Sequence, residues 1–318
     1  MLVALDAQRQ TMHRAVLSVR GGDAAKLIHS LTTNNITAWM ESATPGLAAA
    51  FLNNKGRVLA DAVLWRDGAE DILVDCPASA AKALLRHLKM YKLRSDVKLK
   101  ARDDLAVATF ASPDAAAAAV AAGDVVAGGA DPRTALLGGR CVAAAGAAPG
   151  EAAGRYAARR LALGVAEGAE VVGRIPLNCN LDALQYVAFD KGCYLGQELT
   201  ARAKFRGEVR RRLMPVALQD AASAVLHNAA RALPPAEPVP DAPIAGALPA
   251  AGAKLLAAGK AVGEVVAVDG ASTVAVAMLK LDFALSGDIL DVDVEGTELK
   301  ASPFVPAWWP DELLPEGD

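Results

Sequence analysis

Apolar residues occur in short runs through most of the chain, and turn-forming residues break them at intervals that fit a mixture of strands and helices. The run from Ala15 to Val19 predicts a strand. Gly21-Gly22-Asp23 follows, then a helix from Ala24 to Leu31 with Asp23 as its N-cap. Thr32 to Asn35 reads as a turn. Leu47 to Leu52 reads as a strand, Asn53-Asn54-Lys55-Gly56 as its turn and Arg57 to Trp65 as the next strand. Past Asp67-Gly68, Asp71 to Val74 gives a third strand of an antiparallel meander. Ser79 to Lys89 carries Leu84, Leu85 and Leu88 at helical spacing, with basic residues near its end that suit the helix dipole. Val97 to Leu99 and Leu105 to Phe110 predict strands; Asp114 to Ala121 and Glu151 to Gly164 predict helices.

The pattern changes after residue 208. Val209 to Leu218, Ala261 to Val268 and Thr273 to Met278 alternate as strands, with Asp269-Gly270 as a hairpin turn. Between them the stretch 228–250, with Pro234, Pro235, Pro238, Pro240 and Pro243, cannot form a regular helix and reads as a linker or a long hairpin loop. This predicts an α+β (mixed α/β) body over 1–208, made of two interleaved subdomains, and a small all-β unit over 209–318. The 318 residues and the 53% hydrophobic fraction suffice for two cores.

The net charge of −3 gives no general pull toward nucleic acid or an anionic membrane, and leaves room for a local basic patch. No stretch has the length and apolarity of a membrane span, so no membrane partner is expected. Asp6 and Gln8-Arg9-Gln10 break the opening segment too early for a signal peptide. Residues 288–318 carry nine acids and one lysine and read as a solvated edge or tail, with docking to a basic partner surface as the alternative.

Cysteines stand at 76, 141, 179 and 193, with none in a C-x-x-C spacing, so a zinc or dithiol site is not indicated. The densest chemistry is Lys191-Gly192-Cys193-Tyr194-Leu195-Gly196-Gln197-Glu198. Two glycines bracket Cys193 and Tyr194 as in a tight loop, and Glu198 to Lys204 opens a helix. Between 191 and 212 there are seven basic and two acidic residues. Lys191 and Arg202 would favour a Cys193 thiolate if the loop brings them close; a buried, inert cysteine is the alternative. Cys179 reads as structural. His13, His29, His87 and His227 are all distant in sequence, so a cysteine–histidine pair has no support, and His87 reads as a surface residue. If Val209 to Leu213 is a strand, Arg210 and Arg212 share one face. With only Tyr194 and Phe205 interleaved, the basic stripe suits a carboxylate or small polyanion better than nucleic acid. The turn at 53–56 delivers Lys55, Arg57 and then Asp61, the candidate polar anchor of a cleft.

Lys191 to Glu198 resembles the K-G-C-Y-x-G-Q-E signature of the folate-binding, aminomethyltransferase-like proteins that assist iron–sulfur cluster assembly. The chain resembles the mitochondrial Iba57 type, related to bacterial YgfZ proteins and to the glycine cleavage T-protein. The resemblance extends to Arg14–Asn35, Phe51–Asp61, Asn180-Leu181-Asp182, Pro306 and Trp308-Trp309-Pro310. It implies a folate-binding body around a central opening, closed by a C-terminal antiparallel β-barrel. It implies late maturation of [4Fe-4S] proteins in the mitochondrial matrix, after removal of a transit peptide, together with A-type assembly proteins. In that reading Cys193 is the metal ligand, holding a transient [2Fe-2S] cluster shared with a partner. The chain would be a monomer alone and heteromeric when loaded. Lys191 and Arg202 would hold the thiolate, Gly192 and Gly196 shape the loop, and Gln197 and Glu198 order it by hydrogen bonds. Asp61, Asn53, Lys55, Asn178 and Tyr194 would face tetrahydrofolate. The related transferases carry adjacent acids where this chain has Ala60-Asp61, relatives place an acid or amide at Asn178, and a histidine often stands where this chain has Lys204-Phe205. The alternatives are a tetrahydrofolate-dependent aminomethyl transferase and a structural protein with an inert cysteine.

Overall fold

A computed structural model describes residues 13–146, 149–220, 248–268, 273–287, 289–293 and 299–314. The opening segment through Gln10, His227, most of the proline-rich stretch and the Asp269-Gly270 turn lie outside the described residues. Two compact units emerge. The first takes Met1–Tyr156, Glu167–Leu177 and Leu184–Gly207; the second takes Ala157–Ala166, Asn178–Ala183 and Glu208–Asp318. Two short segments upstream of residue 208 therefore fold with the C-terminal unit.

The first unit is built on a five-stranded antiparallel sheet in the order β2-β3-β4-β1-β5, formed by β1 (Arg14–Arg20), β2 (Gly46–Leu52), β3 (Val58–Asp67), β4 (Asp71–Pro77) and β5 (Lys98–Ala101). Helices α1 (Ala24–Leu31), α2 (Ile36–Glu41) and α3 (Ala78–Lys92) cover one face. Strand alternation sorts the side chains. Ala60, Ala62 and Leu64 of β3 and Ile72, Val74 and Cys76 of β4 meet Leu27, Ile28, Leu84 and Leu88 of the helices. On the opposite face Val16, Val63, Trp65 and Leu73 pack against Leu105, Val107 and Val142. These belong to a second sheet, β6-β8-β7, of β6 (Leu105–Phe110), β7 (Ala127–Ala130) and β8 (Gly139–Ala144). Helix α4 (Pro113–Ala122) covers its far side. Its start is set by Ser112, which accepts from the Ala115 amide, and by Pro113; its end is set by Gly123 at φ +77°.

Some local expectations change. Asp23 does not cap α1; its carboxylate accepts from the Asp96 amide instead. Thr32 bridges to Phe51, and Asn35 caps the unforeseen α2 by accepting from the Ala38 amide. His87 is half-buried against Tyr91, with ring centroids 4.8 Å apart, so it is not a free surface residue.

The second unit holds α5 (Ala153–Ala162) in part and a closed antiparallel barrel, β10-β11-β12-β9-β14-β13. Its strands are β9 (Arg211–Asp220), β10 (Lys254–Ala257), β11 (Lys260–Val268), β12 (Val274–Lys280), β13 (Leu290–Val292) and β14 (Leu299–Pro303). Met214, Val216, Leu255, Val276's neighbours Ala275 and Ala277, Leu279, Leu290 and Trp309 fill it. The strand begins at Arg211, so Arg210 and Arg212 do not share an open face. Arg210 is exposed beside Glu208, whereas Arg212 is buried and grips Asp182 with two bonds, 2.8 and 2.9 Å. Asn180 donates to the Leu213 carbonyl at 2.7 Å, and Arg212 lies over the Trp309 ring. The Asn180-Leu181-Asp182 run and the tryptophan pair thus join one clamp inside this unit.

Candidate functional site

Cys193 is exposed, whereas Cys76, Cys141 and Cys179 are buried. Burial pushes the Cys76 thiol up to about 12 and the Cys141 thiol up to about 11. Four cysteines are described, and one can meet a partner.

The loop that presents it is anchored on both sides. Upstream, the Lys191 ammonium is buried and donates to three backbone carbonyls: His29 at 2.5 Å, Thr32 at 2.8 Å and Asn34 at 2.9 Å. It also lies 4.9 Å from the centre of the Tyr194 ring. These bonds satisfy carbonyls at and beyond the end of α1, where no helical donor remains. Burial lowers the Lys191 amine to about 8. Its three N–H bonds go to backbone carbonyls, so Lys191 fixes the loop, and no hydrogen bond joins it to Cys193 among the described residues.

Downstream, the anchor is a meeting of two backbones. Gly196 at φ +81° precedes helix α6 (Gln197–Phe205), and Gly56 at φ +73° closes the 53–56 turn. A Cβ on Gly196 would stand 2.6 Å from the Asn53 carbonyl oxygen, and one on Gly56 would stand 2.6 Å from Leu199 Cβ and 2.8 Å from the Gly196 carbonyl oxygen. Only glycine fits at either place. The two motif segments, 140 residues apart in sequence, dock through this pair. Asn53 builds the turn: its side-chain oxygen accepts from the Lys55 and Arg57 amides at 2.9 and 3.1 Å. Lys55 is exposed.

Gly192 differs. A Cβ there would meet nothing within 4 Å, and its φ is not positive. Gln197 and Glu198 open α6, and neither side chain forms a hydrogen bond among the described residues, contrary to the expected ordering role. The Glu198 charge instead suits the helix N-terminus. Arg202 is exposed on the last turn of α6 and is in no ion pair among the described residues. Tyr194 is buried.

Asp61 stands on a different kind of site. It is completely buried; one oxygen accepts from Arg14 Nη1 at 2.6 Å and the other from the Gly168 amide at 2.8 Å. Arg14 Nε also donates to Asp75 at 2.7 Å, and Arg140 Nε donates to the other Asp75 oxygen at 2.6 Å. Arg133 pairs with Asp131 and Glu167, and Tyr156 bonds both Glu167 and Arg140. Burial works against the charge on Asp75, but Arg14 and Arg140 outweigh it and hold the carboxyl below its ordinary range. Burial also opposes the Arg14 charge, and Asp75, Asp61 and Glu167 overcome it. Arg140 Nη2 and the Tyr186 hydroxyl, both buried in this cluster, have no hydrogen-bond partner among the described residues. Ala60 points the other way, into the apolar core under the helices, so an acid in its place would be buried away from Asp61.

Sequence reasoning picked Asp61 and missed Arg14, Asp75, Arg140, Glu167 and Tyr156. The signal was present: Asp75 interrupts the apolar run Ile72–Cys76, and Arg140 interrupts Gly139–Ala144. A charge on a buried strand face demands a counter-charge. Asn178 is half-buried in a short 3-10 turn over Pro176–Cys179 and belongs to the second unit.

Comparison with known proteins gives the chain its setting. Residues 210–311 match the CAF17 C-terminal beta-barrel domain. The solved glycine cleavage system aminomethyltransferase T from Bartonella henselae superposes with a TM-score of 0.67 at 14% identity, covering 93% of this chain and 84% of that one, which shows the fold. The mitochondrial iron–sulfur cluster assembly factor IBA57 homolog of Mycosarcoma maydis is 33% identical over 95% of this chain and 85% of its own length. The human mitochondrial IBA57 protein is 33% identical over 93% and 83%. The Pyricularia oryzae homolog is 36% identical, over 65% of this chain and 56% of its own length. The mitochondrial setting implied by the resemblance is the one these relatives' names carry. With a third of its residues shared over nearly its whole length, and the aminomethyltransferase fold and barrel in place, the chain belongs to the IBA57 family of iron–sulfur cluster assembly factors.

Proposed function

We propose that this chain acts with the iron–sulfur assembly machinery as a transfer factor in which Cys193 supplies one thiolate to a cluster held jointly with a partner. One observation carries the reading: Cys193 alone among the described cysteines reaches solvent, on a loop pinned by the Lys191 bonds and by the Gly56–Gly196 contact. Iron prefers soft thiolate, and a [2Fe-2S] cargo needs four such ligands. One cysteine cannot supply them, so a partner with further cysteines, an A-type assembly protein, completes the set. Loading is ligand exchange: the Cys193 thiol gives its proton to solvent, its sulfur bonds iron, and one partner ligand leaves. No electron is transferred in that step. The cargo then serves late [4Fe-4S] protein maturation.

The buried cluster supports tetrahydrofolate as a ligand of the same chain. Arg140 Nη2 and the Tyr186 hydroxyl are buried donors without acceptors among the described residues, and such groups suit the polar edge of a heterocycle. Aminomethyl transfer is the weaker reading, because Asp61 already accepts from Arg14 and Gly168 and Ala60 supplies no second acid.

Anaerobic mixing with an A-type assembly protein, iron and sulfide tests the first reading by visible absorption. The wild-type chain should raise the cluster yield above that of the partner alone, and Cys193→Ser should not. Equal yields would refute it. Calorimetric titration with tetrahydrofolate tests the second, with Tyr186→Phe expected to weaken binding.

A further inference from the structure

Helix α3 and the turn after it form a charged face that the cluster role does not use. No acid occurs between Asp75 and Asp96, while Lys82, Arg86, Lys89, Lys92 and Arg94 give that stretch +5 within a chain of net −3. Ala80, Leu84 and Leu88 are packed into the core, which turns the cations outward. Lys82, Arg86 and Lys89 are exposed at i, i+4 and i+7, a stripe about 10 Å long. None of the five, nor the nearby Lys26 of α1, forms an ion pair among the described residues.

The second observation is apolar. At the end of the stripe Met90 is 61% and Leu93 85% exposed. Leu93 has φ +47°, in the left-handed region that a branched side chain seldom adopts. Beside it a surface concavity of about 550 Å³ is lined by Asp23, Lys26, Leu93, Arg94 and Ser95.

We propose that this face docks an acidic protein partner, with Leu93 and Met90 as apolar anchors and the surrounding cations as carboxylate receptors. The proposal is independent of the Cys193 reading. Charge sets the sign of the partner. The exposed aliphatic anchors set its class. A single-stranded nucleic acid would call for exposed aromatics to stack on, and none is exposed here; a duplex would leave Met90 and Leu93 without apolar contacts. A lipid surface would call for an apolar helix face, and that of α3 is committed to the core. A protein offers sockets for two side chains and acids around them.

The test uses the full chain and two labelled 16-residue probes, an amphipathic glutamate–leucine peptide and an all-glutamate control, read by fluorescence anisotropy. The amphipathic probe should bind and the control should bind at least threefold more weakly. Lys89→Glu with Arg94→Glu should weaken the amphipathic probe about tenfold or more, and raising salt should do the same in wild type. Leu93→Gly should weaken it about threefold or more, although glycine accepts the left-handed backbone and so leaves folding intact. Equal affinity across these variants would overturn the proposal, as would equal binding of the two peptides. Tighter binding to a duplex RNA or to anionic vesicles, lost in the same variants, would assign the face to that polyanion instead and overturn it. So would self-association in sedimentation that the variants abolish.

Discussion

Lys191→Met removes the upstream anchor of the Cys193 loop while keeping the length of the side chain. Three carbonyls, of His29, Thr32 and Asn34, lose their donor. Hydrogen bonds to a charged group contribute about 1.5–3 kcal/mol each, so three contribute about 5–9 kcal/mol gross. Burial of the ammonium takes part of this back. A fall from 10.5 to about 8 corresponds to about 3 kcal/mol. The variant should therefore lose about 2–6 kcal/mol in the first unit at pH 7. The pH dependence is the sharper signature. Below pH 8 the lysine is protonated in both folded and unfolded chains, and stability has no slope from this group. Between about 8 and 10.5 the unfolded chain holds more protons, so stability rises with pH. From pH 7 to 9.5 wild type should gain about 2 kcal/mol from this site and Lys191→Met nothing, so their difference widens. Urea unfolding read by pulsed hydrogen exchange in peptides spanning 24–35 follows this unit by itself. A difference that stays constant or narrows toward pH 9.5 would refute burial as the dominant influence on the Lys191 amine.

Other outcomes follow from the same geometry. Gly56→Ala and Gly196→Ala should each cost about 2–4 kcal/mol, because a Cβ meets backbone or Leu199 at under 3 Å and φ is positive; Gly192→Ala should lie within about 0.5 kcal/mol of wild type. Thermal melts compare the three. Asp75→Asn should cost about 3–5 kcal/mol by leaving Arg14 and Arg140 short of a buried counter-charge. Since Asp75 is held below its ordinary range, its contribution is present above about pH 4 and fades as pH falls through the lowered folded value, so an acid titration should be shallower in the variant. Alkylation of the native chain should modify one cysteine quickly, and Cys193→Ser should remove that single fast equivalent.

Much of the fold was legible because local chemistry and tertiary packing agree in it. The strand over Ala15–Val19, the helix over Ala24–Leu31, the Leu47–Trp65 hairpin and the barrel strands β11 and β12 all fell where periodicity and turn residues put them. Strands β7 and β8 were not legible. Ala127-Gly128-Gly129-Ala130 carries no strand signal, and its glycines reflect contact instead: a Cβ on Gly128 would stand 2.2 Å from the Cys141 sulfur. Cys193 was legible as a polar, glycine-bracketed cysteine. The roles of its neighbours were not, because Lys191 looks the same in sequence whether it points at a thiol or under a helix end. The Arg14–Asp61–Asp75–Arg140 cluster spans 126 positions: the apolar runs around Asp75 and Arg140 mark those two as buried charges, but nothing in the sequence says which charge meets which.

The central claim is that Cys193 ligates a cluster shared with a partner. Native mass spectrometry of the anaerobically loaded complex with an A-type assembly protein tests it most directly. The account predicts a heteromeric species carrying the mass of two irons and two sulfides, present for wild type and absent for Cys193→Ser. The same loaded heteromer at equal abundance in the serine variant would contradict it.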